Sequence, residues 1–372
     1  MVRAGLSSSW TCTFANDIDS RKAQVYSANW GDDEFYLGDI AKVTVDQLGR
    51  RVDLAWASFP CQDLSLAGLQ GGLNGTKSAA FWGFWKLMKN AVAIGRAPRA
   101  IVLENVCGIM SSHGGNDFRK IISKIAGLGY VVGALVMDAR DFVPQSRRRV
   151  FIVAFRDNLR IPRDTFDSEP NPTWHPPALV RAVAELKPAT KKKWRYWSFS
   201  KMPKRSKDLK DVVSDALPDV VWHSKAETKR LLKMMAPLHR SAVSTAKSSN
   251  KPMVGAVFKR MRPDSHGQHV QRAEVSFTSV AGCLRTPAGG SSLQSILSIK
   301  KGDVRSRLLS PRETARLMGL KDSYKLPELA VDAYRVTGDG VVAPVVRHLA
   351  KNLLERVLVK STPRKRTRSR TR

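Results

Sequence analysis

Cysteine is scarce in this 372-residue chain: Cys12, Cys61, Cys107 and Cys283 are its four, far apart and with no C-x-x-C pair. That spacing argues against both a disulfide framework and a cysteine-based zinc site, and no metal is expected; a reducing compartment is the natural inference. There is no apolar run long enough to span a bilayer, and the opening MVRAGLSSSW lacks the apolar stretch of a signal peptide, so the chain reads as soluble, intracellular and without a membrane partner. Acids are also few. Against 63 Lys and Arg stand 32 Asp and Glu, a formal net charge of +31, which implies a standing attraction to polyanions, nucleic acid first. Residues 361–372 carry six of those cations and no acid and read as a disordered basic tail, yet +25 remains on the body.

What is present is enough apolar residue, 42%, for one large or two medium folded domains. Up to about Arg156, short apolar or β-branched runs alternate with helical spacing, the pattern of a parallel α/β sheet. The strands are expected at 11–16, 52–58, 100–106, 131–139 and 149–155, with helices in SRKAQVYSANW and AAFWGFWKLMKNAVAIG. From Asp157 prolines cluster in EPNPTWHPP, and ten Lys or Arg across 187–210 mix with Trp194, Tyr196, Trp197 and Phe199. This marks a second, smaller and irregular domain, whose aromatics either stack on bases and sugars or turn inward as a small core. Regular structure returns near Arg307. Ser310, Pro311 and Glu313 open a helix in SPRETARLMGL with a capping box, and APVVRHLAKNLLERVL is an amphipathic helix expected to pack against the first domain.

Ligands of open α/β sheets bind at the carboxyl ends of strands, and those ends are polar here: NDID at 16–19, GDI at 38–40, FPCQ at 59–62 and ENV at 104–106. An acid where the first βα unit ends suits a ribose hydroxyl pair, which makes Asp17 a candidate for a nucleoside-containing cofactor. Cys61 follows Pro60 and precedes a segment able to start a helix, a setting that favours thiolate.

FPCQDLSLAG, LENVCGI and ARDFVPQSRRRVFIVAF follow in order, each beside a strand, and RLLSPRETARLMGLKDSY and YRVTGDGVVAPVVRHLA close the series. Together they resemble the cytosine-C5 DNA methyltransferase family, with its Pro-Cys, Glu-Asn-Val and Gln-x-Arg-x-Arg signatures at Pro60-Cys61, Glu104-Asn105-Val106 and Gln145, Arg147, Arg149. The resemblance covers nearly everything except roughly 157–280, where the family places its variable target-recognition domain. It implies a Rossmann-like, mostly parallel sheet of the S-adenosylmethionine-dependent methyltransferase fold. Its parts would be a catalytic and cofactor-binding domain at 1–156, a target-recognition domain at 157–280, and a return to the catalytic domain at 281–360.

The chemistry implied by the resemblance begins with the Cys61 thiolate adding to C6 of cytosine, which makes C5 nucleophilic. Glu104 then supplies a proton or strong hydrogen bond at N3, and Arg147 and Arg149 hold the base and favour the thiolate. The base must be extruded from the duplex, and the glycine-rich stretch from Gln62 to Thr76 fits the family's closing loop. S-adenosylmethionine is the implied donor. By the same resemblance Asp17 and Ile18 meet its ribose and adenine, Asp39 and Ile40 its adenine, Pro60 the same site, and the Gly340–Val341 backbone its methionine end. The implied partner is double-stranded DNA, with a monomer as the expected form, a companion restriction endonuclease as a possible associate, and a cytoplasmic, nucleoid-associated location.

Two departures stand out. MVRAGL resembles the segment just after the family's Phe-x-Gly-x-Gly-like turn, so that turn and its strand are missing from the sequence; a start further upstream is the favoured explanation. Asp339 in GDGV stands where many relatives have Asn. Two alternatives stay open at this point: an inactive DNA-binding homologue, and an enzyme acting on RNA cytosine.

Overall fold

The computed structural model describes residues 1–49, 52–59, 79–199, 202–249, 251–264, 266–287 and 293–360. The chain opens with α1 (Val2–Gly5), β1 (Ala15–Asp17), α2 (Ser20–Trp30) and β2 (Phe35–Leu37). It continues through β3 (Leu54–Ser58), α3 (Ala79–Ala93), β4 (Ala100–Val106), α4 (Asn116–Gly127), β5 (Tyr130–Asp138) and β6 (Arg148–Arg156). The strands expected at 52–58, 100–106, 131–139 and 149–155 and both expected helices form, whereas of the strand expected at 11–16 only Ala15 and Asn16 pair, in β1. β2 and α4 are additions, although FRKIISKIAG carries helical apolar spacing.

The main sheet has the order β3-β4-β6-β5, with β3 and β4 parallel and β6 antiparallel to both its neighbours. β1 and β2 form a separate parallel pair. Both faces of the main sheet are covered, which is why its strands read as near-continuous apolar runs. Ile101, Leu103, Val132 and Ile152 turn to the face packed by α3 and α4, while Val102, Leu135, Phe151 and Val153 turn to the other. That second face is covered from far along the chain, by α10 (Pro311–Leu317), α12 (Ala343–Leu349), a π-helical turn at Ala350–Leu354 and α13 (Glu355–Lys360).

The aromatics placed among lysines are core. Between β6 and α10 the chain first lies against the main sheet through β7 (Phe166–Asp167), α5 (Pro177–Ala184), α6 (Pro188–Lys191) and β8 (Tyr196–Trp197). Trp174, Trp194 and Trp197 are all buried, and Trp197 Nε1 donates to the Val153 carbonyl at 2.9 Å. Val132 exchanges backbone bonds with Lys193 and Arg195, and a Cβ on Gly133 would strike the Arg195 carbonyl, so this close approach needs glycine. Of the two readings of these aromatics, inward packing is the one the fold adopts for the tryptophans.

The remainder is more regular than its composition suggests. After α7 (Leu209–Val212), α8 (Lys225–Lys233) and α9 (Pro237–Ser248) come β9 (Met253–Pro263), β10 (His269–Ser276), β11 (Ser295–Lys300) and β12 (Asp303–Leu308). These make a four-stranded antiparallel sheet in the order β10-β9-β11-β12. α8 and α9 supply Leu231, Val243 and Ala246 to a third apolar cluster with Val257, Val275 and Leu297. A buried ion pair joins this sheet to the return segment: Arg307 on β12 donates twice to Glu313 on α10, both at 2.7 Å. Glu313 also accepts from the backbone of Ser214 and Ser310, so its oxygens are fully used. α11 (Ala330–Asp339) then leads to the turn before α12.

Candidate functional site

The carboxyl end of β4 holds the first cluster. Glu104, 6% exposed, sits in register beside Ser58 of β3 and Phe151 of β6. Arg149, opposite Val106 on β6, reaches it with Nε 3.1 Å from Oε1. A buried carboxyl group against a guanidinium is held in one orientation at the strand end. Pro60 and Cys61 follow Ser58 in the chain but lie outside the described residues, as does the stretch from Gln62 to Thr76. Cys107, in the turn after β4, is a second thiol near this cluster; burial pushes it up against the pull of Arg149 and Arg148, which keeps it protonated.

Arg147 is placed differently from Arg149, and the expected pair of base-holding arginines divides. Its buried guanidinium donates to the carbonyls of Leu284 (2.9 Å), Gly338 (2.9 Å) and Gly340 (2.8 Å). Gln145 is likewise occupied, donating to the Leu317 carbonyl and accepting from Leu284 N. Both side chains fasten the return segment to the turn between β5 and β6. Asp138 closes that turn by accepting from the backbone of Arg140 and Arg147.

The second cluster is at the carboxyl end of the β1–β2 pair. Asn16 Nδ2 donates to the carbonyls of Tyr36 and Gly38, and Gly38 N donates to the Asp17 carbonyl, which brings Asp17 and Asp39 to the same edge. Asp39 caps the 3-10 turn Ile40–Lys42 through Ala41 N. Ile18 is 72% exposed beside Asp17. An exposed apolar side chain next to a carboxylate at a strand end fits the adenosine part of a nucleoside cofactor.

Sequence reasoning did not find what joins the two clusters. Lys22 on α2 lies 3.0 Å from Asp339 and 3.9 Å from Asp17, and Thr286 Oγ1 donates to Asp339. Asp339 is therefore neutralised by a lysine on the first βα unit. The signal available was the acid at 339 itself, which calls for a cation nearby. Gly338 and Gly340 belong to the same turn: a Cβ on Gly338 would meet the Arg285 carbonyl, and one on Gly340 the Met1 thioether. Val341, buried, follows directly. Asp17, Asp339 to Val341 and Arg147 thus form one chain of contacts, and Arg149, the partner of Glu104, follows Arg147 by two residues.

A family model described as C-5 cytosine-specific DNA methylase matches residues 2–355. Among curated proteins, the type II methyltransferase M.BsuFI of Bacillus subtilis is 27% identical over 360 residues, 96% of this chain and 71% of that protein. The type II methyltransferase M.HhaI of Haemophilus parahaemolyticus is 25% identical over 344 residues, 92% of this chain and 87% of that protein. Two solved structures share the fold. The Dnmt2 methyltransferase of S. pombe has a TM-score of 0.55 at 16% identity, covering 93% of this chain and 91% of its own. The Entamoeba histolytica methyltransferase EhMeth has a TM-score of 0.60 at 14% identity, covering 95% and 94%.

Proposed function

Because the chain belongs to the C-5 cytosine-specific DNA methylase family, we propose that it methylates C5 of cytosine in duplex DNA, with Cys61 as nucleophile and Glu104 and Arg149 handling charge on the ring. The observation that carries the assignment of the two charged residues is their buried contact at the carboxyl end of β4, beside the strand that leads to Cys61. S-adenosylmethionine, the donor this family uses, supplies an electrophilic methyl group.

In this reading the Cys61 sulfur bonds to ring C6, the C5–C6 electron pair makes C5 nucleophilic, and N3 takes a proton or strong hydrogen bond from Glu104. Arg149 holds Glu104 in the orientation in which its carboxyl group meets the base. Once C5 carries its methyl group, loss of the C5 proton and breaking of the sulfur–C6 bond release the product. A base stacked in a duplex hides C6 from any thiol, so the cytosine must be extruded. Asp17 and Ile18 bind and orient the adenosine end, with Asp39 and Ile40 at the adenine and Pro60 and the Gly340–Val341 backbone bordering the rest. Arg147 is a positioning residue that sets the height of that backbone.

The deciding experiment supplies labelled methyl donor with duplex DNA or transfer RNA. Incorporation into DNA supports the reading, and incorporation into transfer RNA alone overturns it in favour of an RNA substrate. With 5-fluorocytosine duplexes the protein should form a denaturant-resistant adduct that Cys61→Ser abolishes.

A further inference from the structure

The β9–β12 sheet carries an electrostatic arrangement that its own fold does not need. Arg260 on β9 stands directly opposite Arg272 on β10, and like charges so placed weaken a strand pair. On α8, Lys225, Lys229 and Lys233 recur at four-residue spacing and are exposed, another mutually repelling set. Between 225 and 249 the one acid is Glu227, and it is committed to capping α8 through Ser224.

These elements enclose a cleft of about 520 Å³ between α8–α9 and the β9–β10 ribbon, lined among others by Lys233, Arg240, Arg262 and Arg272. Of its two carboxylates, Glu274 is the one paired with cations. Glu274 is shared by Arg262 at 2.6 Å and Arg260 at 3.5 Å, while Asp264 accepts from the backbone of His266 and Gln268 in the ribbon's turn. Among the described residues no carboxylate lies within 4.0 Å of Lys233, Arg240 or Arg272.

We infer that this cleft is a phosphate-binding surface that grips the backbone of the DNA substrate outside the target base and positions the duplex without reading its sequence. The inference rests on the DNA reading above. Its cations line a concave surface, and Lys or Arg contacts to phosphate fix register and orientation without reading base edges. Polyanion binding would also relieve the repulsion between Arg260 and Arg272.

The test measures binding of the full chain to a panel of short duplexes of different sequence over a range of salt. Arg240→Gln with Arg272→Gln should loosen every duplex by the same factor and make the slope of log affinity against log salt shallower by about 2, since each phosphate left without its cation removes about 0.9 from that slope. The methylation rate at saturating DNA should stay as it was, with KM for DNA raised. Arg272→Lys, which keeps the charge, should keep the slope. If the double variant does not fold, the exposed Lys233→Gln reads the same effect at about 0.9 in slope. Loosening confined to some sequences, an unchanged slope, or a fall in the saturated rate would each overturn the inference. Failure of the unaltered protein to methylate DNA would instead sink the proposed function, and the binding series would still decide the cleft.

Discussion

Glu104 and Arg149 sit on neighbouring antiparallel strands with Oε1 and Nε 3.1 Å apart, so the guanidinium fixes the orientation of the carboxyl group. Replacing Glu104 with Gln keeps the shape and a hydrogen bond but removes the transferable proton. Methyl transfer is expected to fall by about 10² to 10⁴, the usual worth of a positioned general acid, in single-turnover assays. DNA affinity should change far less.

Arg147 predicts the opposite pattern. Its loss leaves the carbonyls of Leu284, Gly338 and Gly340 without their donor, a cost on the order of 3 kcal/mol at about 1 kcal/mol each. Arg147→Gln should lower the melting temperature and raise KM for the methyl donor more than it lowers kcat. Arg147→Lys should recover only part, because one ammonium cannot reproduce the planar fork.

The Arg307–Glu313 pair is buried on both sides. Breaking it from one side strands a charge, and Arg307→Met or Glu313→Leu alone should cost about 3 to 5 kcal/mol in denaturant unfolding. The double replacement should recover most of that. A double variant no better than either single one would show that the backbone bonds of Glu313 to Ser214 and Ser310 matter more than the pair.

Asp19 caps α2 through Arg21 N, and the Arg21 side chain beside it holds the carboxyl down at about 2. A depressed acid stabilises the fold above its unfolded pKa, and the benefit disappears as pH falls through the folded value. Asp19→Ala should therefore cost about 1 kcal/mol near neutrality. The difference from the unaltered protein should shrink as pH falls and vanish below about 2, measured by acid titration of helicity.

The strand ends were legible because β4, β5 and β6 are buried along most of their length while the half-buried β3 stops at Ser58, so apolar runs and motif positions coincide. Glu104 and Arg149 could be named on residue type and order. That Arg147 turns away from Arg149 could not: its partners are 137, 191 and 193 residues away, and they are carbonyls, which leave no mark in a side-chain pattern. Inward packing of the tryptophans was one of two open readings, and what decides it is as distant in sequence, since Trp197 finds its acceptor at Val153 across the sheet. β9 was missed because its outer half, Lys259 to Arg262, interrupts the alternation a strand shows when one face is buried throughout.

The fastening of the return segment by Arg147 and Gln145 makes chain continuity dispensable in a testable place. The final helices supply much of one face of the core, yet they are tied to the β5–β6 turn by noncovalent bonds that do not pass through the connection between α9 and β9. Two pieces separated at that connection and co-expressed should associate into one working particle, a split enzyme whose halves find each other through a surface that ordinarily never sees water.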